Sequence, residues 1–179
     1  MIAPHPATLP DDKTMSNPTT AIAPLFAWRD NETTRWRSFF EANPQALDFP
    51  AGDGTMDTVR GVVRHIFAVE LRYGQRLLGH PVTDWADFRQ HSLADLFSIG
   101  DEARRMIDQY MASADEASLS GTMTFSTLTA GTITATRRKI LVNVVTHGVR
   151  HWAQVTTFVR QGGIRAAWPH DLLGVEVGM

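Results

Sequence analysis

His147 and His151, in the stretch THGVRHWAQ, are the residues of this 179-residue chain best spaced to do chemistry. On a helix a four-residue step leaves two side chains about 40° apart on one face, one turn above the other. Imidazoles so placed can reach a single divalent ion, the geometry behind helical zinc motifs. The chain holds seven histidines, so the pair needs support from its surroundings. Ile140, Leu141, Val144, Gly148, Val155, Phe158 and Val159 recur at helical spacing and define an apolar stripe. His151 projects into the middle of that stripe and His147 toward its flank. A buried imidazole requires a partner for each ring nitrogen, and a metal ion meets part of that demand.

His65 is a candidate third ligand, on the edge of an earlier apolar stripe near Val62 and Val69. Facing helices of a bundle build metal sites by projecting side chains into one shared region. One histidine from one helix and two from another give a three-nitrogen site with open positions, the catalytic rather than the closed structural type. Nickel, zinc, iron, cobalt and manganese all accept imidazole, so the donor set does not choose among them. Without a metal, His65 reads as a boundary histidine and the pair as satisfied core residues; both readings stay open here. Asn143 and Gln154 flank the pair and could orient a ligand or a bound water. Glu70 lies about 140° around its helix from His65 and reads as solvated. His80, His91 and His170 fall in loops or at helix ends and read as solvated, and His5 has no role.

Four long helical patterns position these residues. The first runs from about Thr19 to Glu41 on Leu25, Phe26, Trp28, Trp36, Phe39 and Phe40, and Pro44 stops it. The second, about Thr55 to Leu78 with Thr55 or Asp57 as cap, places Val59, Val62, Val63, Ile66, Phe67, Tyr73 and Leu77 on one face. A third spans about Ser92 to Ala117 on Leu93, Leu96, Phe97, Ile99, Met106, Ile107 and Tyr110. The threonine-rich stretch from Leu119 to Thr136 alternates Met123, Phe125, Leu128 and Ile133 with polar residues, and Ala130-Gly131 could turn a small irregular hairpin. The histidine pair sits on the last helix, about Arg137 to Gln161, which closes at Gly162-Gly163. The fold expected is all-α: a four-helix bundle with a short irregular or β-hairpin insertion before its last helix. A tail using Trp168, Leu172 and Leu173 folds back over it.

Residues 1–18, with Pro4, Pro6, Pro10 and Pro18 and little to bury, read as a mobile leader, with Met15 a candidate natural start. Residues 19–179 then make one domain, an ordinary size for a single core. The absence of cysteine excludes disulfides, thiolate zinc sites and a cysteine nucleophile, and fits a reducing, cytoplasmic setting. Net charge is −2 and the one basic run, Arg137-Arg138-Lys139, reads as a solvated helix start, so no nucleic-acid partner is expected. No apolar run is long enough to span a membrane, and the N-terminus lacks a secretory pattern.

Three stretches together resemble the DinB-like (DinB/YfiT) superfamily. VRHIFAVELRYGQRLLG is similar to its second helix, which carries one metal-binding histidine, and HGVRHWAQVTTFVRQGG to its last helix, with an H-x-x-x-H pair followed by Gln. LFAWRDNETTRWRSFF is similar to its opening helix. The resemblance spans about Thr19 to Leu173. It implies a four-helix bundle, often a homodimer, with a divalent metal on His65, His147 and His151. Trp152 stands where a basic residue often follows the pair. Understood relatives include thiol-dependent transferases and isomerases, in which the metal binds a low-molecular-weight thiol. This cysteine-free chain would take that sulfur from a cofactor such as bacillithiol, mycothiol or glutathione. A hydrolase would use the same ligands with a general base that the sequence does not identify. A non-catalytic metal-binding or stress-associated protein is the alternative; the substrate stays unknown.

Overall fold

The computed structural model describes residues 18–52, 54–88, 92–127 and 130–174. Residues 1–17 of the proposed leader, with His5, and also His91 and Leu128, lie outside the described residues. The fold is mostly helical, with one small antiparallel sheet before the last helix. Helix α1 spans Ala23–Ala42, α2 spans Val59–Leu78 and α3 spans Leu93–Ser113. A short α4, Glu116–Ser120, leads into strands β1, Thr122–Thr127, and β2, Gly131–Thr136. Helix α5 then runs Arg137–Gln161. Helix α2 is the common neighbour: it packs on both α3 and α5, while α1 touches α5 and α3.

Local chemistry sets most of the boundaries. Helix α1 starts at Ala23, later than the expected Thr19, with proline in its first turn, where a missing N–H costs nothing. Thr58, rather than Thr55 or Asp57, caps α2: its hydroxyl accepts from the Gly61 N–H at 3.2 Å. Ser92 and Asp95 form a capping box at the start of α3. The third helix does not continue to Ala117. It stops at Ser113, Ala114 is extended, and the Asp115 carboxylate accepts from the Ser118 N–H at 2.7 Å to begin α4. Apolar periodicity ran on through that break because Leu119, in α4, is itself fully buried. The Thr136 hydroxyl caps α5 by accepting from Lys139 N–H at 3.2 Å.

The threonine-rich stretch is a two-stranded hairpin, with Phe125 opposite Ile133 and Thr124 opposite Thr134. Gly131 takes a φ of 63°, the left-handed conformation its turn requires. Met123, Phe125 and Ile133 pack on the core formed by Ile140, Leu141, Val144 and Val145 of α5 with Ile107 and Tyr110 of α3. Threonines occupy the outer face, where Thr124 and Thr134 hydroxyls pair at 2.8 Å. A second core gathers Trp36 and Phe40, Val62, Val63, Ile66 and Phe67, Leu96 and Phe97, and Trp152, Val155 and Val159. The Trp36 and Trp152 rings stack there, 5.5 Å apart. Helix α3 reaches this core closely because Gly100 faces Phe67; a Cβ there would lie 2.6 Å from the ring.

Two buried carboxylates correct the sequence reading. Glu70 is not solvated: it has 0% exposure and pairs with the equally buried Arg29 of α1. Arg29 Nε donates to both Glu70 oxygens, at 3.3 and 3.1 Å, and its Nη2 donates to Glu70 and to the Gly100 carbonyl at 3.3 Å. One ion pair thus joins α1, α2 and α3. Burial alone lowers the Arg29 pKa; Glu70, with Asp30 behind it, more than reverses this, and the net shift is upward. Glu32, 2% exposed, accepts from the indole N–H of Trp36 at 2.8 Å and of Trp168 at 3.1 Å, and from His170 Nδ1 at 2.5 Å. His170 is therefore a packed residue and not a solvated one, stacked 5.8 Å from Trp36. The tail folds back as expected through Trp168, but Leu172 and Leu173 stay exposed, at 40% and 98%.

Replacing Glu70 with alanine strands a buried guanidinium, which costs about 3–5 kcal/mol. Urea unfolding monitored by circular dichroism should show a loss of that size; a change under about 1 kcal/mol would mean that Arg29 finds other partners.

Candidate metal centre

Helices α2 and α5 bring the three histidines together. His65 Nε2 and His147 Nε2 lie 3.2 Å apart, and one nitrogen from each of His65, His147 and His151 falls within 4.8 Å of the others. Ring centroids are 5.1 Å apart for His65 and His147, 4.8 Å for His65 and His151, and 4.4 Å for His147 and His151. His151 is 4% exposed, in the middle of the α5 stripe, while His65 and His147 are half-buried at its edge.

The neighbours hold the rings. The Gln154 side-chain oxygen accepts from His151 Nδ1 at 2.6 Å, which leaves the Nε2 lone pair facing Arg150 Nη2 at 3.2 Å. Trp85, from the short turn Trp85–Asp87, stacks on His65 at 5.8 Å and 9°. His147 Nδ1 is buried without a hydrogen-bond partner among the described residues. His80 is exposed and is not part of this grouping.

The environment keeps these imidazoles neutral. Burial, then the charges of His151, Arg150 and Arg64, push His65 down to about 4. Burial, then His151, His65 and Arg150, push His147 down to about 3. His151 is lowered too, by burial first, against the upward pull of its bond to Gln154. Neutral imidazoles present lone pairs, and lone pairs converging at 3.2 Å repel unless a proton or a cation lies between them. Nitrogens sharing one ion at about 2.0–2.1 Å are separated by roughly 3–3.4 Å. The His65–His147 pair already has that spacing, and side-chain rotation can close the remainder of the 4.8 Å set. The donor set therefore fits a divalent ion.

The histidines line one end of a cavity of about 590 Å³ between α2, α5, the hairpin and the Trp85 turn. Asn143 also lines it, while Gln154 acts only through His151. Reasoning from the sequence missed several of its residues, among them Trp85, Arg72 and Arg76. The two arginines were detectable, since they lie seven and eleven residues beyond His65 on the same face of α2. Trp85 was not, because its place depends on how a loop returns to the helix.

The depressed pKa values have a consequence for stability. Below pH 6.5 the unfolded chain binds protons at His65 and His147 that the folded chain refuses until about pH 4 and 3. Metal-stripped protein should therefore lose stability as pH falls from 6.5 toward 4. The slope of Tm against pH should flatten in a His65→Ala, His147→Ala double variant, and identical slopes would refute this. No curated protein has a matching sequence. The sequence pattern of the DinB family, however, matches residues 15–173, which include all three histidines. The chain belongs to the DinB family.

Proposed function

We propose that this chain is a single-domain four-helix bundle that binds a divalent ion through His65, His147 and His151 and uses it in catalysis. Residues 19–179 form the domain and residues 1–18 its leader. The observation that carries the proposal is the convergence of three neutral imidazoles, from two facing helices, at the wall of an open cavity. Three protein ligands leave coordination positions free, the arrangement of catalytic sites. Bound there, a divalent ion supplies Lewis acidity that lowers the pKa of a thiol or of water. Nickel, zinc, iron, cobalt and manganese are all compatible with the donors.

Transfer chemistry on a low-molecular-weight thiol suits the cavity better than hydrolysis does. A hydrolase needs a general base within reach, and no carboxylate lines the cavity among the described residues. A thiol already acidified needs none. Gln154 fixes the His151 ring and its tautomer, and Trp85 holds His65 in plane. Arg150, at the rim, adds positive charge that favours a thiolate. A purely structural or stress-associated metal site, the other reading, would be sealed. Trp168, the residue placed to seal one, packs instead on Trp36 and Phe39 at the far core. We further propose a cytoplasmic homodimer, in keeping with the family resemblance.

Protein purified without a histidine tag should carry about one divalent ion per chain by elemental analysis, lost in His147→Ala and in His151→Ala. Removing the orienting bond with Gln154→Ala should weaken metal affinity roughly 10–100-fold. Protein that emerges metal-free and refuses nickel, zinc and manganese would sink the proposal. Turnover of an electrophile with one of bacillithiol, mycothiol or glutathione is the expected second result. Turnover with none of them counts against the transferase.

A further inference from the structure

The cavity continues past the histidines. His65, Val69, Arg72 and Arg76 follow one another along α2 at four-, three- and four-residue steps, and all four line it. Eleven residues of helix put the Arg76 backbone about 16 Å from that of His65. Val69, Tyr73, Trp85 and Ile133 make the walls between. Arg72 lies over the Trp85 ring at 4.8 Å, and Arg76 over Tyr73 and Phe125 at 5.7 and 4.9 Å. Each donates to a backbone carbonyl, Arg72 to Thr83 and Arg76 to Arg72. Neither makes an ion pair with a carboxylate within 4 Å among the described residues, unlike Arg29, Arg37, Arg60, Arg104 and Arg138. Arg150 faces the same space from α5, also without an ion pair.

Partly desolvated guanidinium groups, held by aromatic rings and with no carboxylate in ion-pair contact, form a receptor for an anion. Burial lowers the pKa of both Arg72 and Arg76; for Arg76 the charge of Arg72 adds to this, while for Arg72 the Asp84 carboxylate, beyond ion-pair contact, offsets part of it. The kind of anion follows from the donors. Phosphate sites recruit backbone N–H groups from a helix start or a glycine turn. Arg72 and Arg76 instead lie in the C-terminal half of α2, far from its N-terminal N–H groups, and offer flat side-chain forks, the shape that pairs with a planar carboxylate.

We propose that the Arg72–Arg76 end of this cavity binds the carboxylate of an elongated organic acid, whose apolar body lies along Val69, Tyr73 and Ile133 and whose far end reaches the histidines. As a substrate assignment this rests on the metal reading above; as a binding site it stands on the arginines alone.

Phenylacetate, neutral phenylacetamide and phenyl phosphate, titrated into the full chain and followed by NMR, test it. Phenylacetate should bind about tenfold or more tightly than the amide. It should do so in EDTA-treated protein and in His147→Ala as well, so a failure of the metal reading leaves this result intact. Arg76→Gln and Arg72→Gln should each weaken phenylacetate about tenfold or more while leaving the amide and, by elemental analysis, the metal content unchanged. Equal affinity for acid and amide in the unaltered protein would overturn the site whether or not the variants fold. Phenylacetate binding that disappears with the metal would assign the carboxylate to the ion and overturn it too. Phenyl phosphate binding tenfold more tightly than phenylacetate would overturn the carboxylate assignment.

Discussion

The Glu70 carboxylate lies inside the protein, and the placement of four helices follows from keeping it satisfied. Arg29 reaches it from α1, and the same guanidinium donates to the Gly100 carbonyl of α3. On the α5 side Gly148 faces Glu70, and a Cβ there would stand 3.5 Å from Oε1. A buried ion pair of this kind adds little net stability compared with apolar packing. It does penalise every arrangement in which α2 rotates or slides, because any slip strands a charge. Gly148 immediately follows His147, and Glu70 lies five residues beyond His65 on α2. The alignment that satisfies Glu70 therefore also sets His65 against the α5 pair.

That alignment explains why polar residues collect on one side of α2 and α5 while apolar ones collect on the other. Phe67 and Trp152 pack inward with Trp36 and Phe97: Trp36 stacks on Trp152, and Phe67 meets Trp152 and Phe97 edge-on, which ties α1, α2 and α5 together. The opposite side would expose the α2–α5 groove to solvent. The hairpin and the Trp85 turn wall it instead, and a cavity remains. A second buried carboxylate, Glu32, anchors the tail over α1. It keeps Trp168 away from the groove, so the histidines stay reachable from the cavity.

Much of this arrangement was legible in the sequence, for a definite reason. Helical spacing of Val62, Val63, Ile66 and Phe67 on α2, and of Leu141, Val144 and Val155 on α5, marks the inward faces, and the positions of His65, His147 and His151 relative to those faces follow from it. The alternation of Met123, Phe125 and Ile133 gave away the hairpin. What failed was long-range polar pairing. Glu70 looks solvated by its angle from His65, and His170 by its place in a tail, because periodicity carries no information about a partner 41 or 138 residues away in the chain. Arg29, buried at 3% exposure in an aromatic-rich helix, is invisible for the same reason. The break between α3 and α4 was missed because the cap at Asp115 interrupts hydrogen bonding without interrupting hydrophobicity.

The central claim is that His65, His147 and His151 share one ion. X-ray absorption at the edge of the bound metal reads its ligands directly. The account predicts three imidazole nitrogens at about 2.0–2.1 Å with exchangeable water or thiol ligands completing the shell. A shell of oxygen donors, or one containing fewer than two imidazoles, would contradict it.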